Sequence, residues 1–224
     1  MLLNVILLTV QVAVVATAIN LPLSLIIANY QDKLPVKFKF VLDVLISLPL
    51  ALPPVVTGYF LLILFSPNGF LGDMFYSVFG FDIVFTWFAA SIASALVSFP
   101  LIVRPIMLSF ANIDPNLVNS ARSLGANKFQ CFYKIKLNLA LPGILAGIIL
   151  GFTRSLGEFG ATIMVAGNIP GKTQTLPLAI YTSVQVGDES KIYVLVGLSI
   201  GLALVSLSLY NLILYRDKNS NKNR

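Results

Sequence analysis

Apolar residues in this chain run in long stretches and do not alternate with polar ones. Five stretches, about 5–29, 41–65, 84–108, 139–166 and 192–215, are each long enough for a roughly 20-residue helical crossing of a bilayer. Runs of this kind predict helices, whereas a membrane barrel would need short segments of alternating polarity. The expected fold is therefore all-α: a polytopic helical membrane protein, one transmembrane domain over 1–224, with about five crossings. Between the third and fourth crossings lies a polar, basic segment, 109–138. Arg122, Lys128, Lys134 and Lys136 cannot rest in hydrocarbon, so this segment must lie on an aqueous face.

The other connections differ in kind. Segment 66–83 mixes Gly and Pro with aromatics and predicts a turn and a short interfacial helix. In segment 167–191 a short amphipathic helix is expected between Pro177 and Gly187. The polar end DKNSNKNR is expected to be disordered.

Composition narrows the class. Of 224 residues, 57% are hydrophobic and 11% charged, against roughly 25% charged in an average globular protein. The crossings consume most of the chain and leave no room for a separate soluble catalytic domain. The first twenty residues carry no cation, so they fit a retained helix better than a secretory signal. A single cysteine, Cys131, excludes an internal disulfide framework and a multi-cysteine metal site. There is no histidine to shuttle protons or hold a transition metal.

The net charge of +6 is explained by its distribution. If the connections alternate sides, Lys33, Lys37, Lys39, Arg122, Lys128, Lys134, Lys136, Arg216, Lys218, Lys222 and Arg224 share one side. Lys172 and Lys191 occupy the other. Eleven against two predicts an outside N-terminus and a cytoplasmic C-terminus. Arg104 is expected to snorkel from the inner end of the third crossing.

Several features could carry chemistry. Residues 118–142 read as a helix, a turn at Gly125 and a second helix, with Ala121 and Leu124 before the turn and Phe129, Phe132 and Tyr133 after it. A short projecting helix with small residues before a glycine suits a groove on a partner. Pro49, Pro53 and Pro54 interrupt the second crossing. A helix restarting at Pro54 is expected to leave the amides of Val56 and Thr57 free at mid-depth, where they would favour an anion. Gly143, Gly147 and Gly151 give the fourth crossing a smooth packing face, a device repeated at Gly197 and Gly201. Arg154 and Glu158, spaced i, i+4, are the only charge pair expected within one crossing. They either neutralise each other or face a pathway. GNIPGKT at 167–173 nearly matches a phosphate-binding loop, but Ala166 stands where glycine is required and no strand precedes it. ATP use, if any, must come from a partner.

Together these residues resemble the permease subunits of binding-protein-dependent ABC importers. The family's cytoplasmic signature is represented by Asn119-Ser120-Ala121, Gly125, Ile135 and Leu137. Asn119, Ser120 and Asn138 depart from its usual Glu, Ala and Pro. LPLALPPVVTGY at 48–59, SFPLIVRPI at 98–106 and RSLGEFGATIMVAGNIPGKTQTLPLAIY at 154–181 resemble the molybdate permeases in particular. The resemblance covers about residues 10–205. It implies the type I importer permease fold and a homodimer in the cytoplasmic membrane. Two copies of a separate ATPase would bind below, and a molybdate-binding protein would dock above. ATP would be bound by the ATPase, with no cofactor or metal on this chain. Asn119, Ser120, Ala121, Leu124, Gly125, Ala126 and Phe129 would couple to the ATPase. Pro54, Thr57, Arg154 and Glu158 would line the pathway or its gate.

Overall fold

The computed structural model describes residues 2–222, all of them helical or in short connections. Helix α1 (Leu2–Tyr30) is followed by a single 3₁₀ turn at Gln31–Lys33. Next come α2 (Val36–Ala51), α3 (Pro54–Phe65), the short α4 (Phe70–Phe79) and the long α5 (Trp87–Ala111). A second group follows: α6 (Pro115–Ser123), α7 (Lys128–Leu139), α8 (Leu141–Leu156), α9 (Gly160–Ala166), α10 (Leu176–Val186) and α11 (Glu189–Lys222).

Helices α1 and α5 are long and apolar enough to cross a membrane, as is Glu189–Ser208 of α11. Two bent pairs bring the count to as many as five: α2 with α3, bent by 109°, and α7 with α8, bent by 69°. Both bends have a proline cause. Pro53 and Pro54 end one helix and begin the next, and Pro142 sits in the first turn of α8. The middle of α7, Cys131–Lys136, is wound as a π-helix.

Two side-chain ties fix α1 and α5 side by side and parallel. Asn20 Nδ2 donates to Ala95 O (2.8 Å) and Ser98 Oγ (3.2 Å), and Gln31 Nε2 donates to Met107 O (2.7 Å). Each is a buried polar group satisfied across a helix interface, so register is set as well as proximity. Helix α8 runs antiparallel to α5 on its glycine face. A Cβ at Gly147 would stand 2.6 Å from Ile102 O, and one at Gly143 would collide with Ser109 Oγ. Only glycine permits that approach. Gly197 and Gly201 differ from expectation: a Cβ there would meet nothing within 4 Å, so they pack against no described residue.

This arrangement gives the molecule two ends. One gathers the C-termini of α1 and α5, the start of α8, and α6 and α7. Its core contains Ile102, Ile106, Phe110, Ala140 and Ile144. Lys33, Lys37, Lys39, Arg122, Lys128, Lys134 and Lys136 lie there. At the other end are the start of α5, α9 and α10, around Val12, Ala89, Ala161 and Val165. Leu176 N donates to Thr9 Oγ1 (2.8 Å) and straps the start of α10 onto α1. Lys172 and Lys191 belong to this second end.

Helix α11 continues through Lys222, so the polar end expected to be disordered is helical to that residue. Arg224, counted above among the cations, lies outside the described residues.

Candidate functional site

Two places in this frame hold the residues singled out above. The first is the α6–α7 turn. Asp114 caps α6, accepting from Asn116 N (2.9 Å). The helix ends at Gly125, whose φ is +90°. There Gly125 N donates to Arg122 O and Ala126 N to Ala121 O, both at 3.0 Å. This is a Schellman closure, which needs a left-handed residue at its centre. Asn127 then opens α7 with a capping box: its Oδ1 accepts from Gln130 N (2.8 Å), and Gln130 Oε1 accepts from Asn127 N (3.0 Å). The chain is therefore capped on both sides of the glycine and held as a rigid knuckle.

That knuckle points outward. Leu124 is 89% exposed and Phe129 70%, with Phe129 stacked on Tyr133 at 5.5 Å. Asn119 and Ser120 are exposed, and Ala121 and Ala126 are half-buried. A Cβ at Gly125 would touch nothing within 4 Å. Large apolar side chains fixed on a short, open knuckle are the chemistry of a docking element.

The second place is where two helix breaks meet. Helix α8 stops at Leu156, Gly157 turns the chain, and α9 starts at Gly160. Against it lies the α2–α3 break. A Cβ on Gly160 would stand 3.0 Å from Pro54 Cβ and 3.3 Å from Val55 N. One turn on, a Cβ on Gly58 would stand 2.6 Å from Ala161 O. So α3 and α9 touch backbone to backbone.

Glu158 holds this junction together. Its Oε1 accepts from Ala161 N at 2.8 Å, capping the first turn of α9, and its Oε2 pairs with Arg154 Nη2 at 2.9 Å. The Glu158 side chain is 2% exposed and that of Arg154 is 30% exposed. One carboxylate thus serves as helix cap and counter-ion together, which offsets the cost of burying it.

Several expectations need correction here. The Val56 and Thr57 amides are not free: both donate to Pro53 O, at 2.9 and 3.2 Å. The restart at Pro54 closes its own first turn, so it presents neither donor to an anion. Thr57 is buried, and its Oγ1 has no hydrogen-bond partner among the described residues. Arg154–Glu158 is the one ion pair inside a single expected crossing among the described residues, and a second pair ties two crossings to each other. Arg104, expected to snorkel, instead donates from Nη1 to Asp43 Oδ1 (2.8 Å) and from Nη2 to Ser47 Oγ (2.7 Å) and Asp43 O (3.2 Å). This tie from α5 to α2 was missed because its partners are 61 residues apart. The available signal was one acid in the apolar run 41–65 and one arginine in 84–108.

The 167–173 segment is a closed turn. Ile169 O accepts from the amides of Lys172, Thr173 and Gln174, and Ile169 N donates to Thr173 Oγ1. Those amides are consumed internally and cannot cradle a phosphate. No group of three or more His, Cys, Asp or Glu residues that could hold a metal gathers among the described residues.

The chain is thus a bundle of membrane-length and bent helices, with two helix breaks in contact and a capped, exposed apolar knuckle at one end. Residues 20–218 match the binding-protein-dependent transport system inner membrane component family, and the chain belongs to it. It is 46% identical over 203 residues to the molybdenum transport system permease protein ModB of Haemophilus influenzae, covering 90% of this chain and 89% of that one. It is 38% identical over 180 residues to the sulfate transport system permease protein CysT of Salmonella typhimurium, covering 80% and 65%. A crystal structure of a bacterial ABC transporter that imports the acidic polysaccharide alginate contains a chain of the same fold. Its TM-score is 0.71 at 17% identity, over 97% of this chain and 79% of that one.

Proposed function

We propose that this chain is the membrane subunit of an ATP-driven importer that moves molybdate into the cytoplasm. It works as a homodimer, with a cytoplasmic ABC ATPase pair on the α6–α7 knuckle and an extracytoplasmic molybdate-binding protein at the opposite end. The cation-rich end faces the cytoplasm in this reading, which the excess of Lys and Arg there supports. The observation that carries the reading is the knuckle: Leu124 and Phe129 are exposed on a turn locked by Gly125 and by caps on both sides.

The mechanism follows from that rigidity. When the ATPase pair closes on ATP, a capped helix transmits the movement instead of absorbing it by fraying. Helix α7 passes it to α8 through the bend at Ala140, and α8 ends at the junction of Arg154, Glu158, Gly160 and Pro54. That junction is the natural gate. Two helices whose breaks meet swing with little loss of hydrogen bonding, because Glu158 and Pro53 O already satisfy the first turns. ATP is bound and hydrolysed by the partner, and no cofactor is assigned to this chain.

Molybdate is preferred over sulfate by the greater similarity to a molybdenum permease, 46% against 38%. Tungstate, a tetrahedral dianion of nearly equal size, is the closest competing substrate. A different class, an ion-coupled carrier working alone, is disfavoured because Glu158 already caps α9 and pairs with Arg154. The test is reconstitution with and without a purified ABC ATPase and oxoanion-binding protein. Molybdate uptake that needs both supports the reading, and uptake driven by an ion gradient alone refutes it.

A further inference from the structure

Between the last two turns of α1 and the α6–α7 knuckle runs an open groove of about 620 Å³. Its floor is apolar: Pro22, Leu25 and Ile26 of α1 face Phe132 of α7. Its rim is cationic. Lys33, Arg122, Lys128 and Lys136 all line it, and no carboxylate does among the described residues. None of the four has an acidic partner among the described residues. Lys136 Nζ donates to Asn29 Oδ1 (3.0 Å), and Lys33 Nζ stands 4.8 Å over the Tyr30 ring. Both ammonium groups are thus steered to the rim by neutral groups.

From this arrangement we infer that the groove binds one anionic phospholipid of the cytoplasmic leaflet. The inference rests on the proposed orientation, with the cation-rich end inside. The charge pattern fits the two parts of such a molecule. The four cations match a phosphodiester headgroup. The apolar floor climbs α1 from Asn29 to Pro22, seven residues or about 10 Å at helical rise, and matches the upper part of an acyl chain. Ile26 is 57% exposed and Tyr30 53%, so the groove opens sideways as well as downward. Tyr30 at the end of a membrane-length helix marks the headgroup level. A zwitterionic lipid would bring its own cation against this rim and gain less.

The bound lipid would have a mechanical consequence. One wall of the groove is α1, and the other carries Val118, Arg122 and Phe129 of the knuckle. A headgroup held by Lys33 on one side and Arg122 and Lys128 on the other ties the docking element to the bundle. Anionic lipid would therefore stiffen coupling without touching the transported anion.

The test is native mass spectrometry of the purified full chain in detergent, with equal phosphatidylglycerol and phosphatidylcholine of matched acyl chains. The wild type should retain phosphatidylglycerol preferentially. Lys33→Gln and Lys136→Gln should each reduce that preference about fivefold, and Lys172→Gln at the opposite end should not. Equal retention of both lipids, or an unchanged preference in the Lys33→Gln/Lys136→Gln double variant, would overturn the inference. Complete release of phosphatidylglycerol when the ATPase is added would also overturn it, since the groove would then belong to the docked partner. Binding in detergent does not depend on which side faces the cytoplasm. A reversed orientation and a groove that ignores lipid therefore give different results.

Discussion

Gly160 rests against Pro54, so close that a Cβ on the glycine would stand 3.0 Å from the proline's own Cβ. The two residues open α9 and α3, and their contact brings two helix breaks together. A side chain anywhere on this seam has to move backbone. Gly58→Val places carbon within 2.6 Å of Ala161 O, and that atom cannot yield without unwinding α9. The expected cost is about 1–3 kcal/mol, read as a lowered unfolding temperature of the purified chain in detergent. Gly197→Val, which meets nothing within 4 Å, serves as the control and should cost far less.

Glu158 has two duties, and substitution separates them. Glu158→Gln keeps an oxygen for Ala161 N but removes the charge opposite Arg154. Glu158→Ala removes both. The alanine variant should be the less stable by about 1–2 kcal/mol, the usual worth of a cap. Adding Arg154→Ala to Glu158→Gln should recover stability by removing the unpaired charge. Thermal unfolding of the four proteins checks the order. If transport also returns fully in the double variant, the pair is a structural contact and not part of the gate.

The knuckle predicts a more selective result. Space is free around Gly125, so only its φ of +90° restricts substitution. Gly125→Val should block transport while the protein still inserts and folds, because a β-branched residue is excluded from that backbone region. Gly125→Asn should retain much of the activity, since Asn tolerates the left-handed region. Transport assays of both variants at matched membrane abundance decide this. Equal loss in both would mean that side-chain bulk at the ATPase contact matters and not the turn.

Orientation is open to direct labelling. Cysteines at Leu34 and Lys128 should react with an impermeant reagent only from the cytoplasm, and one at Lys172 only from outside. The native Cys131 is 3% exposed and should stay silent. Labelling of 128 from outside would reverse the assignment and remove the ATPase site.

The parts of this fold legible in sequence are the local ones. Helices α1 and α5 follow from long apolar runs, and the α6–Gly125–α7 knuckle from a glycine between two polar helical segments. The break at Pro53–Pro54 was readable because proline acts on its own helix. The angle at that break was not, because 109° is set by α3 lying on α9, more than a hundred residues away. The same distance hid the Arg104–Asp43 tie. The expected fourth crossing, 139–166, read as continuous, yet Gly157 ends α8 and Gly160 starts α9, with Glu158 capping its first turn. The packing face expected from Gly143, Gly147 and Gly151 lies against α5 at all three positions. At 160 the glycine makes room for a proline that no periodicity in its own segment could reveal.

The most direct measurement is uptake of molybdate into proteoliposomes holding the wild-type chain, an ABC ATPase and an oxoanion-binding protein. The account predicts uptake that requires all three and ATP, that tungstate competes with strongly and sulfate weakly, and that Gly125→Val abolishes. Uptake that persists without the ATPase, or that Gly125→Val leaves at the wild-type rate, would contradict it.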